Sequence, residues 1–319
     1  MSKWSSMQER VETYLQVRRS VGYLLRIEGE QLQRFARFAD QHDHQGHITI
    51  DLAVAWAADS QKSHQIGRAR RLEVVRPLAR YCAVFEPETE IPPSHFFGPA
   101  HRRLTPHIYS DREIEQLLEA VDGLQPQQEL RPVTMHCLLA LLVATGLRIS
   151  EALRLDRDDV DLTQGLLQVR MTKFRKSRYV PLHPTACNAL CDYAHFRDER
   201  LPVVQNTAFF LIDNGHALQY RQVLHAFHRI REQLGWGVDA NGRRPRLYDL
   251  RHTFACKRLL AWYEDDVDVD RMMPLLSTYL GHSRVSDTYW YLTGIPALMA
   301  IVAARFESQS QQHSKRGVS

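Results

Sequence analysis

Residues 133–153 read VTMHCLLALLVATGLRISEAL. From Val133 to Thr145 the run is strongly apolar. It is too long for a buried strand and long enough for about three turns of helix. Gly146 ends it, because glycine readily takes the left-handed conformation that closes a helix. Arg148 follows and opens another short helix with Ile149, Ser150 and Glu151. Taken alone, Arg148 reads as an ion-pair residue, with Glu151 three positions on as a partner.

Outward from this stretch the pattern stays mostly helical. Upstream, Ser110 and Glu113 form a capping-box signature. Downstream, Leu166 to Met171 and Arg178 to Leu182 read as two short strands joined by a basic turn. Pro184 to Arg200, Tyr220 to Leu234 and Tyr248 to Tyr263 read as helices, with further helical pieces up to Phe306. In the first hundred residues, Val11, Tyr14, Leu15 and Val17 recur at helical spacing, as do Leu32, Phe35, Ala36, Phe38 and Ala39. The expected fold is mainly α with a small β-sheet, an α+β arrangement.

Pro87, Pro92, Pro93, Pro99 and Pro106 punctuate the stretch between Glu86 and Pro106. Proline at that density cannot continue a helix. The expected division is a helical domain at 1–95, a proline-rich linker at 96–107, a larger domain at 108–306 and a polar tail at 307–319. A length of 319 residues fits about two domains.

Composition excludes several classes. Hydrophobic residues are 44% and charged residues 24% of the chain, so a disordered chain is ruled out. No apolar stretch is long enough to span a membrane, and Met1 to Arg10 lacks a signal-peptide core. Five scattered cysteines (Cys82, Cys137, Cys187, Cys191, Cys256) form no CxxC pair, as expected for reduced thiols in the cytoplasm. The excess of 41 Lys+Arg over 37 Asp+Glu is small, so the placement of charge matters more than its sum. No Walker loop, GxGxxG or zinc-spaced Cys/His set is present. His42, His44 and His47 sit in a polar loop and are not read as metal ligands.

Three basic clusters stand out. Lys62, Arg68, Arg70, Arg71, Arg76 and Arg80 share a helical stretch with only Glu73 to offset them. Arg170, Lys173, Arg175, Lys176 and Arg178 crowd the expected hairpin turn. Arg243, Arg244 and Arg246 precede Tyr248-Asp249-Leu250-Arg251-His252. Each alone reads as a solvated charged face. The alternative for the first is a phosphate-tracking helix, and for the second a hairpin tip that enters a nucleic-acid groove. Further on come Leu280-Gly281-His282-Ser283 and Thr288-Tyr289-Trp290-Tyr291, whose members separately have ordinary packing explanations.

In this order the motifs resemble the tyrosine recombinase (phage integrase) family, over roughly residues 110–306 and more loosely the helical N-terminal region. Thr145 to Leu153 matches the family's first arginine block, which implies that Arg148 is catalytic. The stretch Lys173-Phe174-Arg175-Lys176-Ser177-Arg178-Tyr179-Val180-Pro181-Leu182 matches its hairpin and implies Lys173 as the catalytic lysine. Tyr248 to His252 matches the His-x-Leu-Arg-His block and implies Arg251. Leu280 to Ser283 implies His282, and the nucleophile nine residues beyond it is Tyr291. One departure stands at Tyr248, where the family has histidine. A phenol hydrogen-bonds a phosphate oxygen but does not readily accept a proton at neutral pH. His252 lies one position further round the helix from Arg251 and is, on helical geometry, a poor replacement.

The resemblance implies a site-specific recombinase or integrase that cuts and rejoins duplex DNA with no metal or nucleotide cofactor. Arg148 and Arg251 would clamp the phosphate. Tyr291 would form a 3′-phosphotyrosyl intermediate, and Lys173 would protonate the leaving 5′-oxygen. Lys62, Arg68, Arg70, Arg71, Arg175, Lys176, Arg178, Arg243, Arg244 and Arg246 would contact DNA, with the two domains closing round it as a clamp. The family acts as a homo-tetramer on two duplexes, sometimes with a second recombinase, and is often carried by mobile elements. A type IB-like DNA relaxing enzyme and a non-catalytic DNA-binding protein on the same scaffold are the alternatives.

Overall fold

A computed structural model describes residues 3–59, 64–100, 105–123, 129–170, 177–239 and 242–293. The chain divides into two compact units, Met1–Leu104 and Thr105–Ser319.

The first unit is helical: α1 (Met7–Ser20), α2 (Arg26–Gln41), α3 (Ile50–Ala58) and α4 (Gln65–Ala83). Ser6 caps α1 by accepting from the Glu9 amide, and Thr49 caps α3 by accepting from the Leu52 amide. The core is built from Trp4, Met7, Val11, Leu32, Phe35, Trp56, Leu72, Val75 and Leu78. Inside it, Arg10 and Glu86 form a bidentate ion pair, with bonds of 2.8 and 2.7 Å. The two side chains are 1% and 4% exposed. Removing one partner from such a pair strands a charge without solvent. Glu86→Ala is therefore expected to lower unfolding stability by about 3–5 kcal/mol. Urea unfolding measures this, and a loss below about 1 kcal/mol would contradict it.

The described part of the proline-rich stretch, up to residue 100, is irregular with turns at 87–88 and 94–97, and it is anchored. Glu86 is held by Arg10, the Glu90 carboxylate accepts from the Ile50 amide, and the Pro92 carbonyl accepts from Arg76. Phe97 packs on the core of the first unit, and Arg70 donates to the Ala100 carbonyl. Proline breaks the helix, while side-chain anchors keep the irregular, turn-containing backbone against the domain.

The second unit opens at α5 (Asp111–Asp122), whose capping box from Ser110 and Glu113 forms as the sequence implies. The apolar stretch becomes α6 (Leu130–Thr145), buried among α5, α8 (Pro184–Arg200) and α10 (Asp249–Glu264). Gly146 closes α6 at φ +62°. The short α7 (Ile149–Ala152) follows. Then comes an antiparallel sheet of β1 (Val160–Asp161), β2 (Leu166–Val169) and β3 (Arg178–Pro181), in that order. Leu166 pairs with Pro181 and Val169 with Arg178. The remaining helices are α9 (Tyr220–Gln233), α11 (Val269–Leu280) and α12 (Ser286–Thr293). Leu259, Met273, Leu276, Leu280 and Tyr291 join α10, α11 and α12 in one buried cluster. Among the described residues no helix is long and apolar enough to cross a membrane. The architecture is mainly α with a small three-stranded sheet.

Candidate active site

The site is assembled around the ends of two helices. α6 stops at Gly146 and α11 stops at Gly281, both in the left-handed conformation. A helix end leaves carbonyls without intrahelical partners and carries partial negative charge. Three arginines take up that negative potential. Arg251, on α10, donates from Nη1 to the Gly146 carbonyl at 2.8 Å and from Nη2 to the Leu280 carbonyl at 2.6 Å. Arg148, preceding α7, donates from both Nη atoms to the Gly281 carbonyl at 3.3 Å. Arg178, at the start of β3, donates from Nε to the Tyr279 carbonyl at 2.7 Å.

Glu151 ties two of these together. Its carboxylate takes a bidentate pair from Arg178, at 3.2 and 2.9 Å, and a bond from Arg148 Nη1 at 2.8 Å. Burial would raise the Glu151 carboxyl; the hydrogen bonds and charges of Arg178 and Arg148 overcome it and hold it below its ordinary value. Arg178 was expected among the DNA contacts. Its side chain is instead only 9% exposed and is committed to Glu151 and the α11 end, so it is corrected to a structural clamp.

Gly281 is required by this clamp. A Cβ at Gly281 would meet Arg178 Nη1 at 2.6 Å and Cζ at 2.8 Å, at a φ of +69°. Since the guanidinium is held on both Glu151 oxygens, it has little room to give way. Gly281→Ala is expected to lose about 2–3 kcal/mol from left-handed strain and the displaced clamp together. An unchanged melting temperature would contradict this.

Arg251 is the most constrained cation. It is 2% exposed, and its Nε has no hydrogen-bond partner among the described residues. Burial and the nearby Arg148 charge lower its pKa. Two guanidiniums face one region and repel each other, so an anion there lowers the energy of both.

Tyr291, on α12, is 2% exposed. Burial raises its phenol to about 12, against the pull of the Arg251 charge. His282 lies nearly parallel to it, with ring centroids 6.1 Å apart and planes at 22°. The His282 Nδ1 is 2.7 Å from the Thr288 hydroxyl. Burial, followed by the Arg251 and Arg148 charges, lowers this imidazole to about 4. Tyr289, the alternative phenol, is 39% exposed and donates to Asp270 at 3.4 Å. Arg148, Arg251, His282 and Tyr291 therefore share one neighbourhood.

Tyr248 sits at the start of α10, 48% exposed, with its ring edge-on to His252 at 5.1 Å. The His252 ring in turn lies 5.4 Å from that of Tyr291. Helical geometry within α10 placed His252 off the working face. The packing of α12 across α10 brings the nucleophile candidate to it instead. Asp249 is buried and takes a bidentate pair from Arg246, with bonds of 3.2 and 2.7 Å.

The expected DNA contacts divide. Lys173, Arg175 and Lys176 lie outside the described residues, as does Lys62. Arg68 and Arg244 are exposed. Arg70 bonds the Ala100 carbonyl while remaining exposed, and Arg243 bonds the Thr105 carbonyl. Arg71 stacks over the Trp56 ring at 4.3 Å, a packing role the sequence pattern did not reveal. Arg246 is anchored on Asp249 with 44% of its side chain exposed.

The sequence profile of the phage integrase family matches residues 108–294. A putative integrase/recombinase, y4rB, of Sinorhizobium fredii (strain NBRC 101917 / NGR234) is 38% identical over 307 residues, covering 95% of this chain and 98% of its own. Tyrosine recombinase XerC of Chlamydia caviae is 30% identical over 227 residues, covering 70% of this chain and 65% of the relative. Among solved structures, the Tn1549 transposon integrase in complex with transposon right end DNA is similar with a TM-score of 0.68 at 16% identity, over 96% of this chain and 99% of that one. XerH site-specific recombinase bound to palindromic difH substrate gives 0.64 at 19% identity, over 95% and 85%. The structural likenesses speak to the fold, and the sequence matches carry the assignment: the chain belongs to the phage integrase family and is a tyrosine-type site-specific recombinase of the Xer/integrase kind.

Proposed function

We propose that this recombinase cuts and rejoins duplex DNA through a covalent 3′-phosphotyrosyl bond at Tyr291, using only its own side chains. The observation that carries the reading is Arg251: a buried guanidinium anchored on main-chain carbonyls, with an unpartnered Nε–H beside a buried phenol. A guanidinium has five donors. Two hold Arg251 in place, and the rest suit the non-bridging oxygens of a phosphodiester. As Tyr291 Oη attacks phosphorus, negative charge grows on those oxygens, and Arg251 and Arg148 stabilise it without reorganising. His282 donates to the same phosphate. Lys173 gives its proton to the departing 5′-oxygen. The phosphotyrosine keeps the bond energy, so a 5′-hydroxyl from a second strand reverses the step and completes exchange.

The substrate is double-stranded DNA, reached by the exposed Arg68 and Arg244 with Lys62, Lys173, Arg175 and Lys176. The protein works in the cytoplasm as a homo-oligomer bringing two duplexes together, in the service of a mobile element. The test is a nicked suicide duplex whose site is selected for binding from a random-sequence pool. The small 5′-hydroxyl fragment dissociates and traps the adduct, and peptide mass spectrometry locates the nucleotide. Attachment at Tyr291 and exchange between two sites are expected. Relaxation of any supercoiled plasmid with no exchange between sites would favour a DNA relaxing enzyme instead.

A further inference from the structure

Tyr291 holds its proton strongly, yet it must lose it to become a phosphoester. Five polar or titratable groups lie near it, and one of them, the buried Cys256 thiol, is pushed up to about 12 and is a weak donor in apolar surroundings. Arg251 is a cation and takes no proton. Tyr248 offers a hydroxyl, not a basic nitrogen. His282 has its Nδ1 engaged with Thr288, and its ring lies further away than that of His252.

His252 is differently placed. It stands edge-on among three aromatic rings, with centroids 5.1 Å from Tyr248, 5.4 Å from Trp290 and 5.4 Å from Tyr291. Its Nδ1 is buried and has no hydrogen-bond partner among the described residues. An orphaned buried nitrogen costs stability, and this one belongs to a ring that packs edge-on against that of Tyr291. We infer that His252 is the proton acceptor for Tyr291, supplying the imidazole that position 248 lacks. This rests on the reading of Tyr291 as nucleophile and adds the fate of its proton.

The step balances with the proton donor already proposed. The Tyr291 Oη–H bond breaks and its proton passes to an imidazole nitrogen of His252. The freed pair forms the Oη–P bond, and the P–O5′ bond breaks with its pair leaving on O5′. That oxygen takes a proton from Lys173. In the reverse step, the incoming 5′-hydroxyl returns a proton to lysine and His252 returns one to the phenol.

Proton transfer must accompany bond formation. Burial lowers His252 to about 4 and raises Tyr291 to about 12, so the phenol is not ionised beforehand. A bound phosphodiester raises the proton affinity of the imidazole. The groups that set its titration are Tyr248, Asp249 and Arg251 on α10, Arg246 just before it, and Tyr291 with Trp290 on α12. Asp249 favours the imidazolium, while Arg246 and Arg251 oppose it.

The test uses the suicide duplex with the full chain. H252Q is expected to slow single-turnover adduct formation by about 10²-fold or more. A substrate with sulfur at the bridging 5′ position needs no proton for its leaving group. It is expected to rescue K173A but not H252Q, which separates acceptor from donor. H252Q/Y248H is expected to regain much of the lost rate, because it returns an imidazole to the adjacent position. H252Q forming adduct within about threefold of the parent, or being rescued by the sulfur substrate, overturns the proposal. So does a folded H252Q/Y248H protein no faster than H252Q. Should H252Q fail to fold, H252N and the unaltered protein decide: a rate in the unaltered protein that stays flat on acidification through about pH 4 overturns the proposal, and a fall of about tenfold per unit below the imidazole's titration, lost in H252N, supports it. A parent protein that forms no adduct, or forms it elsewhere than Tyr291, defeats the underlying reading and not this step alone.

Discussion

Tyr291→Phe is expected to abolish covalent adduct formation, a drop on the order of 10⁴-fold or more. The substitution deletes one oxygen. The ring stays in its buried cluster with Leu259, Met273, Leu276 and Leu280, so the fold is retained. Burial raises the phenol and the Arg251 charge opposes it, both acting on the oxygen that the substitution removes. Tyr289 is exposed and bonded towards Asp270, so Tyr289→Phe is expected to leave adduct formation within a few-fold of the parent. Denaturing gels on the suicide duplex, with melting temperatures alongside, measure both. The reverse pattern, with Tyr291→Phe active and Tyr289→Phe inert, would show that the nucleophile is misassigned.

Arg251→Lys is expected to lower the cleavage rate by about 10²–10³-fold while DNA binding changes far less. Binding draws on many exposed cations, but the transition state draws on a planar fork. Lysine keeps the charge and loses the geometry: one ammonium cannot hold the Gly146 and Leu280 carbonyls and still present a flat pair of donors. A carbonyl left unpaired costs about 1–3 kcal/mol, so some stability is lost as well. Comparing cleavage at saturating protein with equilibrium binding to the same duplex separates the effects. A variant that binds weakly yet, once saturated, cleaves at the parental rate would place Arg251 in recognition, not in chemistry.

Much of this was legible beforehand, for identifiable reasons. The run from Val133 to Thr145 with Gly146 after it names its own helix and stop. Ser110 and Glu113 mark a helix start through contacts only three residues apart. The candidate catalytic residues could be listed from their motifs, since the spacing from His282 to Tyr291 is carried within one short stretch. What escaped depends on long-range packing. Arg178 looked like one more cation of a basic hairpin, and nothing nearby in sequence announces Glu151, which lies 27 residues earlier. Arg71 looked like a phosphate contact until α3 delivered Trp56 beneath it. His252 seemed misplaced because helical geometry considers only its own helix, whereas α12 is what brings Tyr291 alongside. The two-residue β1 is too short to show any alternation.

The carbonyls of Gly146, Leu280 and Gly281 that seat Arg251 and Arg148 belong to the main chain. Every amino acid carries one, so ordinary substitution cannot delete these seats; only a change of backbone path can. An engineer retargeting the enzyme therefore needs to hold fixed the two left-handed glycines and the side chains seated there, Arg148, Glu151, Arg178, Arg251 and His282, and can vary positions that leave that backbone path unchanged.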